Sequence, residues 1–595
     1  MPMPRLELPA ELWDKLVDRF HALDLSENAV LLAFAVAVGV AGALGVVLFY
    51  KMIDLSAAVL FRWPGRVLPS WLEWLYRPLV TGSGMAAAWY IMKRFARGND
   101  GMTVPDVQRA VVREGGDIPT QPALARTAAS AVTIGGGGSA GAEGPVAVFG
   151  AAIGSALGRW FRFPASRTTV LVAAGAAAGI SAAFNAPLAG AFFALEEIVG
   201  SFSASAFPPI VVASVVAAVV SRAFFGNHPA FPIPEEYGYS HAVEIIVFYP
   251  VLGIITGLIA AFFIRTHFSL EDRIRGLNIP PALLPWLGGA LVGGMVTLSG
   301  GQLVGDGHLA FSLDMFGRIA WWGLVLLAIG KVLVTSLTLN TGGSGGVFTP
   351  SLFVGAAIGG AFGVALAGLF PGLNLTPEAY ALVGMGAVVA AATGAPLTGI
   401  LIVWEMTDDS AIMLPLMLTV VIGYVVARRR EKDNLYSGWL RRRGEDLEAG
   451  ADRRVMSDIT VREACELVPV TIPAYELVSR QVNLPDQDGY PVVEDDGTLV
   501  GMLTLAEIAR FTREDQANDT MRTCGEVAQR VRALAPNDTL LSGMRRMAVR
   551  GASSLPVADP STSKIFGLLS RSHALWLYER VMVETGSHPV AKREK

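Results

Sequence analysis

Charge is scarce in this sequence. Only 16% of its 595 residues are Asp, Glu, Lys or Arg, against about a quarter in soluble domains. The 47 basic and 51 acidic residues leave a net charge of −4, so nothing suggests a nucleic-acid partner. The two cysteines, Cys465 and Cys524, lie far apart in a polar region and form neither a disulfide framework nor a zinc pattern. They read as buried, reduced, structural thiols. The seven histidines are scattered without metal-ligand spacing, and no nucleophile is patterned with a base, which argues against an enzyme. The segment 1–27 lacks the basic start and apolar core of a signal peptide. Its mixed composition (ELWDKLVDRFHAL) fits an amphipathic helix on a membrane surface.

Apolar sequence, by contrast, is abundant. Hydrophobic residues make up 52% of the chain, and about a dozen runs of spanning or near-spanning length recur from Asn28 to about Arg428. That pattern belongs to an α-helical polytopic membrane protein rather than to a large soluble core. Composition breaks at Arg428-Arg429-Arg430, after AIMLPLMLTVVIGYVVA and before EKDNLYSGWLRRRGEDLEAGADRR. Two arginine triplets directly after a span place that side in the cytoplasm. The expected organisation is a surface segment 1–27, a membrane domain 28–430, a linker 431–452, cytoplasmic units 453–515 and 516–583, and a polar end 584–595. The two tail units repeat faintly, each as helix, strand, turn, strand, helix. Gly489-Tyr-Pro-Val-Val493 in one answers Ser554-Leu-Pro-Val557 in the other.

A stronger repeat runs through the membrane domain. GGSAGAEGPVAVFGAAIGSALG, from Gly137 to Gly158, aligns with GGSGGVFTPSLFVGAAIGGAFG, from Gly342 to Gly363. At this offset of 205, Ser139 meets Ser344, Gly141 meets Gly346 and Pro145 meets Pro350, while Glu143 meets Phe348. GAAAGISAAFNAPLAGAFFALE (Gly175 to Glu196) resembles GMGAVVAAATGAPLTGILIVWE (Gly384 to Glu405), so that Glu196 meets Glu405. The membrane domain is therefore a duplication, parallel or inverted. Broken, duplicated helices are a common way to build an ion site near the bilayer centre. The GxxxGxxxG runs in both copies signal close helix packing.

Gly141-Ala-Glu-Gly-Pro145 carries the most chemistry. A proline near a helix start, after a flexible break, leaves free N–H groups that attract an anion. Glu143 could occupy that place itself. A carboxylate competing with an anion for one nest of N–H groups acts as a gate that protonation opens. The blander alternative is an ordinary helix-capping glutamate. Gly345-Gly-Val-Phe-Thr-Pro350 is the uncharged partner break and offers the N–H groups of Val347 and Phe348. Gly136, Gly138 and Gly141 also match GxGxxG, but without βαβ context this is no dinucleotide site. Glu196-Glu197 closes an apolar run, either as solvated interfacial residues or as a proton relay. Neighbouring helix positions point about 100° apart, so at most one should face the interior.

These motifs resemble those of the CLC family of chloride channels and chloride/proton antiporters. Gly101-Met-Thr-Val-Pro105, Phe184-Asn-Ala-Pro-Leu-Ala-Gly190 and Gly394-Ala-Pro-Leu-Thr-Gly399 add to the match, and the tail resembles a pair of CBS modules. The resemblance implies an inverted repeat of tilted helices, assembled as a homodimer in the cell membrane with both termini cytoplasmic. It makes Glu143 the external gate and Glu197 the internal proton-transfer residue. Met102, Gly144, Val347, Phe348 and Tyr436 would line the anion path, and Arg126 and Lys331 would favour anions electrostatically. The implied partners are chloride or a similar monovalent anion, protons and the bilayer. No cofactor is required, and an adenine nucleotide is the candidate ligand of the CBS pair. Met102 stands where the family usually has serine, Ala142 where it usually has a basic residue, and Glu507 and His573 where nucleotide-binding modules often have Asp. The favoured function is a proton-coupled antiporter, with chloride the favoured anion. A passive voltage- or pH-gated chloride channel is the alternative, and export of fluoride or another anion a second. A divalent-cation transporter would need more intramembrane carboxylates, and the broken helices argue against a membrane-anchored sensor that transports nothing.

Overall fold

The computed structural model describes residues 27–584 except 66–68, 70–71, 97–101, 204, 227–241, 243, 306–318, 408, 446–455, 457–458, 468 and 482–483. The surface helix expected at 1–27 and the polar end at 584–595 lie outside the described residues, apart from Glu27 and Glu584. The chain divides into two compact units, Met1–Asp446 and Leu447–Lys595.

The first unit is helical. Its main helices are α1 (Glu27–Ala57), α2 (Glu73–Phe95), α3 (Val104–Arg113), α4 (Thr120–Gly135), α5 (Glu143–Trp160), α6 (Ala165–Phe184), α7 (Pro187–Phe193), α8 (Phe207–Phe225), α9 (Tyr249–Arg275), α10 (Leu284–Leu298), α11 (Trp321–Asn340), α12 (Phe348–Leu369), α13 (Pro377–Thr393), α14 (Pro396–Thr407), α15 (Met413–Arg430) and α16 (Ser437–Arg442). Among the described residues, seven helices are long and apolar enough to cross a membrane, and three more are apolar but shorter. The spanning and near-spanning runs expected from the sequence thus appear as a mixture of full-length and shorter helices. Proline and glycine cut several of them into partial helices. Pro187, Pro377 and Pro396 each open a helix at the position where a missing N–H costs nothing.

The duplication reappears as packing. In one copy α5 lies on α6, and in the other α12 lies on α13. A Cβ at Gly150 would collide with the carbonyl of Gly175, and one at Gly355 with the carbonyl of Gly384. The small-residue runs therefore set the helix separation in both halves. Asn185 and Gly394, equivalent residues after α6 and α13, both adopt the left-handed conformation, with φ of 56° and 97°. Each turns the chain into an Ala-Pro helix start.

The second unit is built of two small sheets. Its two three-stranded sheets have orders β1-β6-β5 and β2-β3-β4, built from β1 (Glu466–Leu467), β2 (Ile472–Pro473), β3 (Tyr490–Val493), β4 (Leu499–Leu503), β5 (Ser554–Ala558) and β6 (Ile565–Ser570). The first strand thus pairs with the last, Glu466 opposite Leu568. Ile459, Val461, Ala464 and Cys465 join the core of Leu534, Leu540, Leu555 and Leu569, whereas Cys524 joins that of Ile472, Tyr490 and Leu503. The units 453–515 and 516–583 therefore exchange short segments: residues 459–465 pack in the core of the later one, and Cys524 in the core of the earlier one. The helix expected before β3 is, in the described residues, two short turns, Val461–Ala464 and Val478–Arg480. Both cysteines are free and buried. Burial, with Glu476 nearby, pushes the Cys524 thiol up to about 11, so its reactive thiolate is rare at neutral pH.

Gly355→Ala should lower the thermal midpoint of the detergent-solubilised protein. Overpacking of this kind typically costs about 1–3 kcal/mol, and here the colliding atom is backbone. An unchanged melting curve would mean that the α12–α13 separation is compliant.

Candidate functional site

Breaking a helix frees backbone groups that must find partners in an apolar interior. Here the two breaks satisfy each other. The Gly141 N–H donates to the Gly346 carbonyl and the Gly346 N–H to the Gly141 carbonyl, both at 2.8 Å, as an isolated antiparallel bridge. Equivalent residues pairing antiparallel place a local two-fold axis at this point. Hydroxyls brace it symmetrically. Thr338 Oγ1 accepts from the Ser139 N–H (3.1 Å), and Thr133 Oγ1 accepts from the Ser344 N–H (3.0 Å). Ser139 pairs with Thr335 and Ser344 with Ser130, at 3.0 and 2.8 Å.

Glu143 breaks that symmetry. Its carboxylate, 1% exposed, accepts the N–H of Phe348 (2.6 Å) and the hydroxyl of Thr349 (2.7 Å). A Cβ on Gly141 or on Gly346 would clash with the carboxylate, which is a physical reason for glycine at both places. The helix starts of α5 and α12 thus converge on one negative charge, where their dipoles favour it. Phe184 and Phe193 pack on Phe348, with centroids 5.8 and 6.3 Å away.

Beside this bridge lies a cavity of about 590 Å³. Its wall includes Met102, Arg126, Gly144, Val347 and Tyr436, as well as Lys93, Arg275, Arg443 and Glu271. Four basic side chains against one carboxylate give it positive character. The Arg126 guanidinium donates to the Gly345 carbonyl at 3.1 Å. Tyr436 is held by Asn434, whose Oδ1 accepts from the N–H groups of Tyr436 (2.8 Å) and Ser437 (2.6 Å). The Leu435 N–H donates to Ala392 at 2.9 Å and docks the segment against α13. Asp106 caps α3 through Thr103 and also pairs with Arg443 at 3.8 Å. The stretch bearing Met102 is thereby tied to the segment after Tyr436.

Glu197 sits in a π-helical turn, Ala194–Val199, that extends α7; such turns are frequent at functional sites. It is 8% exposed, and the Gln108 carboxamide donates to both its Oε2 (2.9 Å) and its backbone carbonyl (2.6 Å). Gly394 and the Asn434 carboxamide lie beside it. Glu196 points elsewhere. It accepts from the N–H groups of Leu397 (3.1 Å) and Thr398 (2.9 Å) at the start of α14. Its repeat counterpart Glu405 accepts from Leu188 (2.8 Å) and Ala189 (2.7 Å) at the start of α7. Each helix therefore ends in the cap of the other, and the pair runs antiparallel. Glu196 is neither simply solvated nor turned toward Gln108.

The structure brings Glu143, Gly144, Val347, Phe348, Arg126, Met102 and Tyr436 together around the bridge and its cavity. Lys331 lies outside the cavity wall. Its ammonium donates to the carbonyls of Leu303 (3.2 Å) and Gly305 (2.9 Å) and lies 5.2 Å from the Phe353 ring centroid. The sequence reading missed Thr349, Gln108 and the crossed caps. Only the caps left a signal, the Glu196–Glu405 equivalence.

Residues 84–428 match the family model for voltage gated chloride channels, and residues 455–514 match the CBS domain. The chain is 34% identical over 426 residues to a ClcB-like chloride channel protein of Ralstonia nicotianae, spanning 70% of this chain and 98% of that one. It is 31% identical over 401 residues to the H(+)/Cl(-) exchange transporter ClcA of Cronobacter sakazakii, spanning 65% and 84%. The solved structure of a slow cyanobacterial Cl-/H+ antiporter matches with a TM-score of 0.62 at 27% identity, over 71% of this chain and 99% of that one.

Glu196→Ala and Glu405→Ala should each destabilise the first unit to a similar degree, about 0.5–2 kcal/mol as for other lost helix caps. Thermal unfolding in detergent would read this out. A drop for one variant alone would show that the two caps are not energetically equivalent.

Proposed function

Because the chain belongs to the CLC family of voltage gated chloride channels, we propose that it is a proton-coupled anion antiporter, with chloride as the favoured anion. One observation carries the reading: the buried Glu143 carboxylate takes the Phe348 N–H and so fills the place an anion would take. Protonation removes its charge and its advantage for those donors. A monovalent anion, drawn in through the basic cavity past Arg126 and Tyr436, can then replace it. Backbone N–H groups at the helix starts, rather than full positive charges, would hold the anion. Such binding is weak enough to release it. In this reading Lys331 contributes only a distant positive potential.

Glu197 gives the proton its second stop. Tyr436 lines the cavity together with Gly144, the neighbour of Glu143, and the Asn434 carboxamide two residues before it lies with Glu197 at Gly394; in this reading the anion path and the proton path meet there. A passive channel has no need of a second buried carboxylate held by a dedicated carboxamide, which favours antiport. In this reading the Tyr436 end of the cavity faces the cytoplasm, supported by the arginines that end α15, and the protein works as a homodimer in the cell membrane. The tail is regulatory. We assign it no nucleotide: Glu507 accepts from Thr504 and Gln529 within its own fold, and the matching position after Ser570 is His573, which offers no carboxylate.

In liposomes loaded with chloride, Glu143→Gln should pass anions without pH dependence and move no protons. Glu197→Gln should spare anion flux and stop proton flux. Proton movement that persists in both variants would sink the antiporter reading, and replacing chloride by nitrate or fluoride in the same assay ranks the anions.

Met102→Ser should strengthen anion binding beside Tyr436. Met102 is buried in the cavity wall, and a thioether donates no hydrogen bond. A hydroxyl donor to a charged partner contributes about 1.5–3 kcal/mol, so chloride affinity should rise about tenfold. Isothermal titration of variant and parent decides it, and equal affinities would place Met102 off the anion path.

A further inference from the structure

Hydroxyls in these helices usually bond backward. Ser351 donates to the Val347 carbonyl, Thr338 to Val334 and Thr393 to Val389, each four residues earlier. Thr349 does not. It occupies the second position of α12, so the residue four before it, Gly345, lies outside the helix. Its hydroxyl turns instead to Oε2 of Glu143 at 2.7 Å, while the Phe348 N–H takes Oε1. The serines of the two breaks are not available for that task, since Ser139 and Ser344 are paired with Thr335 and Ser130. Thr349 is 6% exposed, so little water can compete for its proton.

We propose that Thr349 is a side-chain anion ligand. Its hydroxyl and the Phe348 N–H hold the Glu143 carboxylate when the gate is closed, and the same two donors hold the transported anion when the carboxylate leaves. The inference rests on reading Glu143 as the gate. It also gives this chain a hydroxyl donor on the anion path where Met102 provides none. A side-chain donor favours strongly hydrated anions, which lose most on leaving water, so Thr349 sets selectivity as well as affinity.

The test uses the full-length protein in a Glu143→Ala background, which removes the resident carboxylate. Chloride and nitrate are titrated calorimetrically into that parent and into versions also carrying Thr349→Val or Thr349→Ser. The valine variant keeps the shape and should bind chloride about tenfold more weakly, with a smaller loss for nitrate. The serine variant should retain the parental affinity. Should Thr349→Val fail to fold, Thr349→Ala against Thr349→Ser gives the same contrast. Equal chloride affinities across the hydroxyl and non-hydroxyl variants would overturn the role of Thr349 and leave the gate reading standing. A Glu143→Ala parent that binds no anion would overturn both.

Discussion

Everything at the site depends on two peptide groups. Gly141 and Gly346, 205 residues apart, exchange a pair of backbone hydrogen bonds where each repeat's helix is broken. Without that exchange, four polar backbone groups would lie unpaired in an apolar interior, at a cost of several kcal/mol each. With it, two helix starts are fixed face to face. Their remaining N–H groups point at a common spot, and one carboxylate fits there. The threonine and serine braces repeat with the same symmetry and hold the spot rigid. The asymmetry at the bridge is then small: a glutamate in one copy, a phenylalanine in the other.

Symmetry breaks again where the segment after α15 enters. The turn after α6 uses Asn185, and the equivalent turn after α13 uses Gly394. A side chain at Gly394 would collide with the Asn434 carboxamide. That absent side chain lets the Asn434–Tyr436 segment dock against the second repeat, next to Glu197. Gln108, reaching from α3, completes the arrangement from the other side. The duplicated scaffold thus supplies the frame, and non-repeated residues supply the polar contacts.

The frame was legible in the sequence because repeats leave arithmetic behind. Constant offsets located both breaks, both glycine seams and the paired glutamates, and the isolated Glu143 stood out against them. The Thr349 role was not legible, since a hydroxyl's direction depends on which helix position it takes and on what lies opposite, 206 residues away. Gln108 was hidden for the same reason. Which apolar runs span fully and which are partial was not legible, because hydropathy registers apolar length and is blind to breaks at Asn185-Ala-Pro or Gly394-Ala-Pro. In the tail, strand pairing between Glu466 and Leu568 escaped notice because a two-residue strand has no pattern of its own.

That last pairing reaches further than the tail's architecture. Residues 459–467 complete the sheet and core of the later half, and Cys524 joins the core of the earlier one, so the two halves share core rather than each closing its own. The two halves are expected to unfold in a single cooperative transition. A force or ligand acting on one half is then felt by the other through shared core rather than through a hinge.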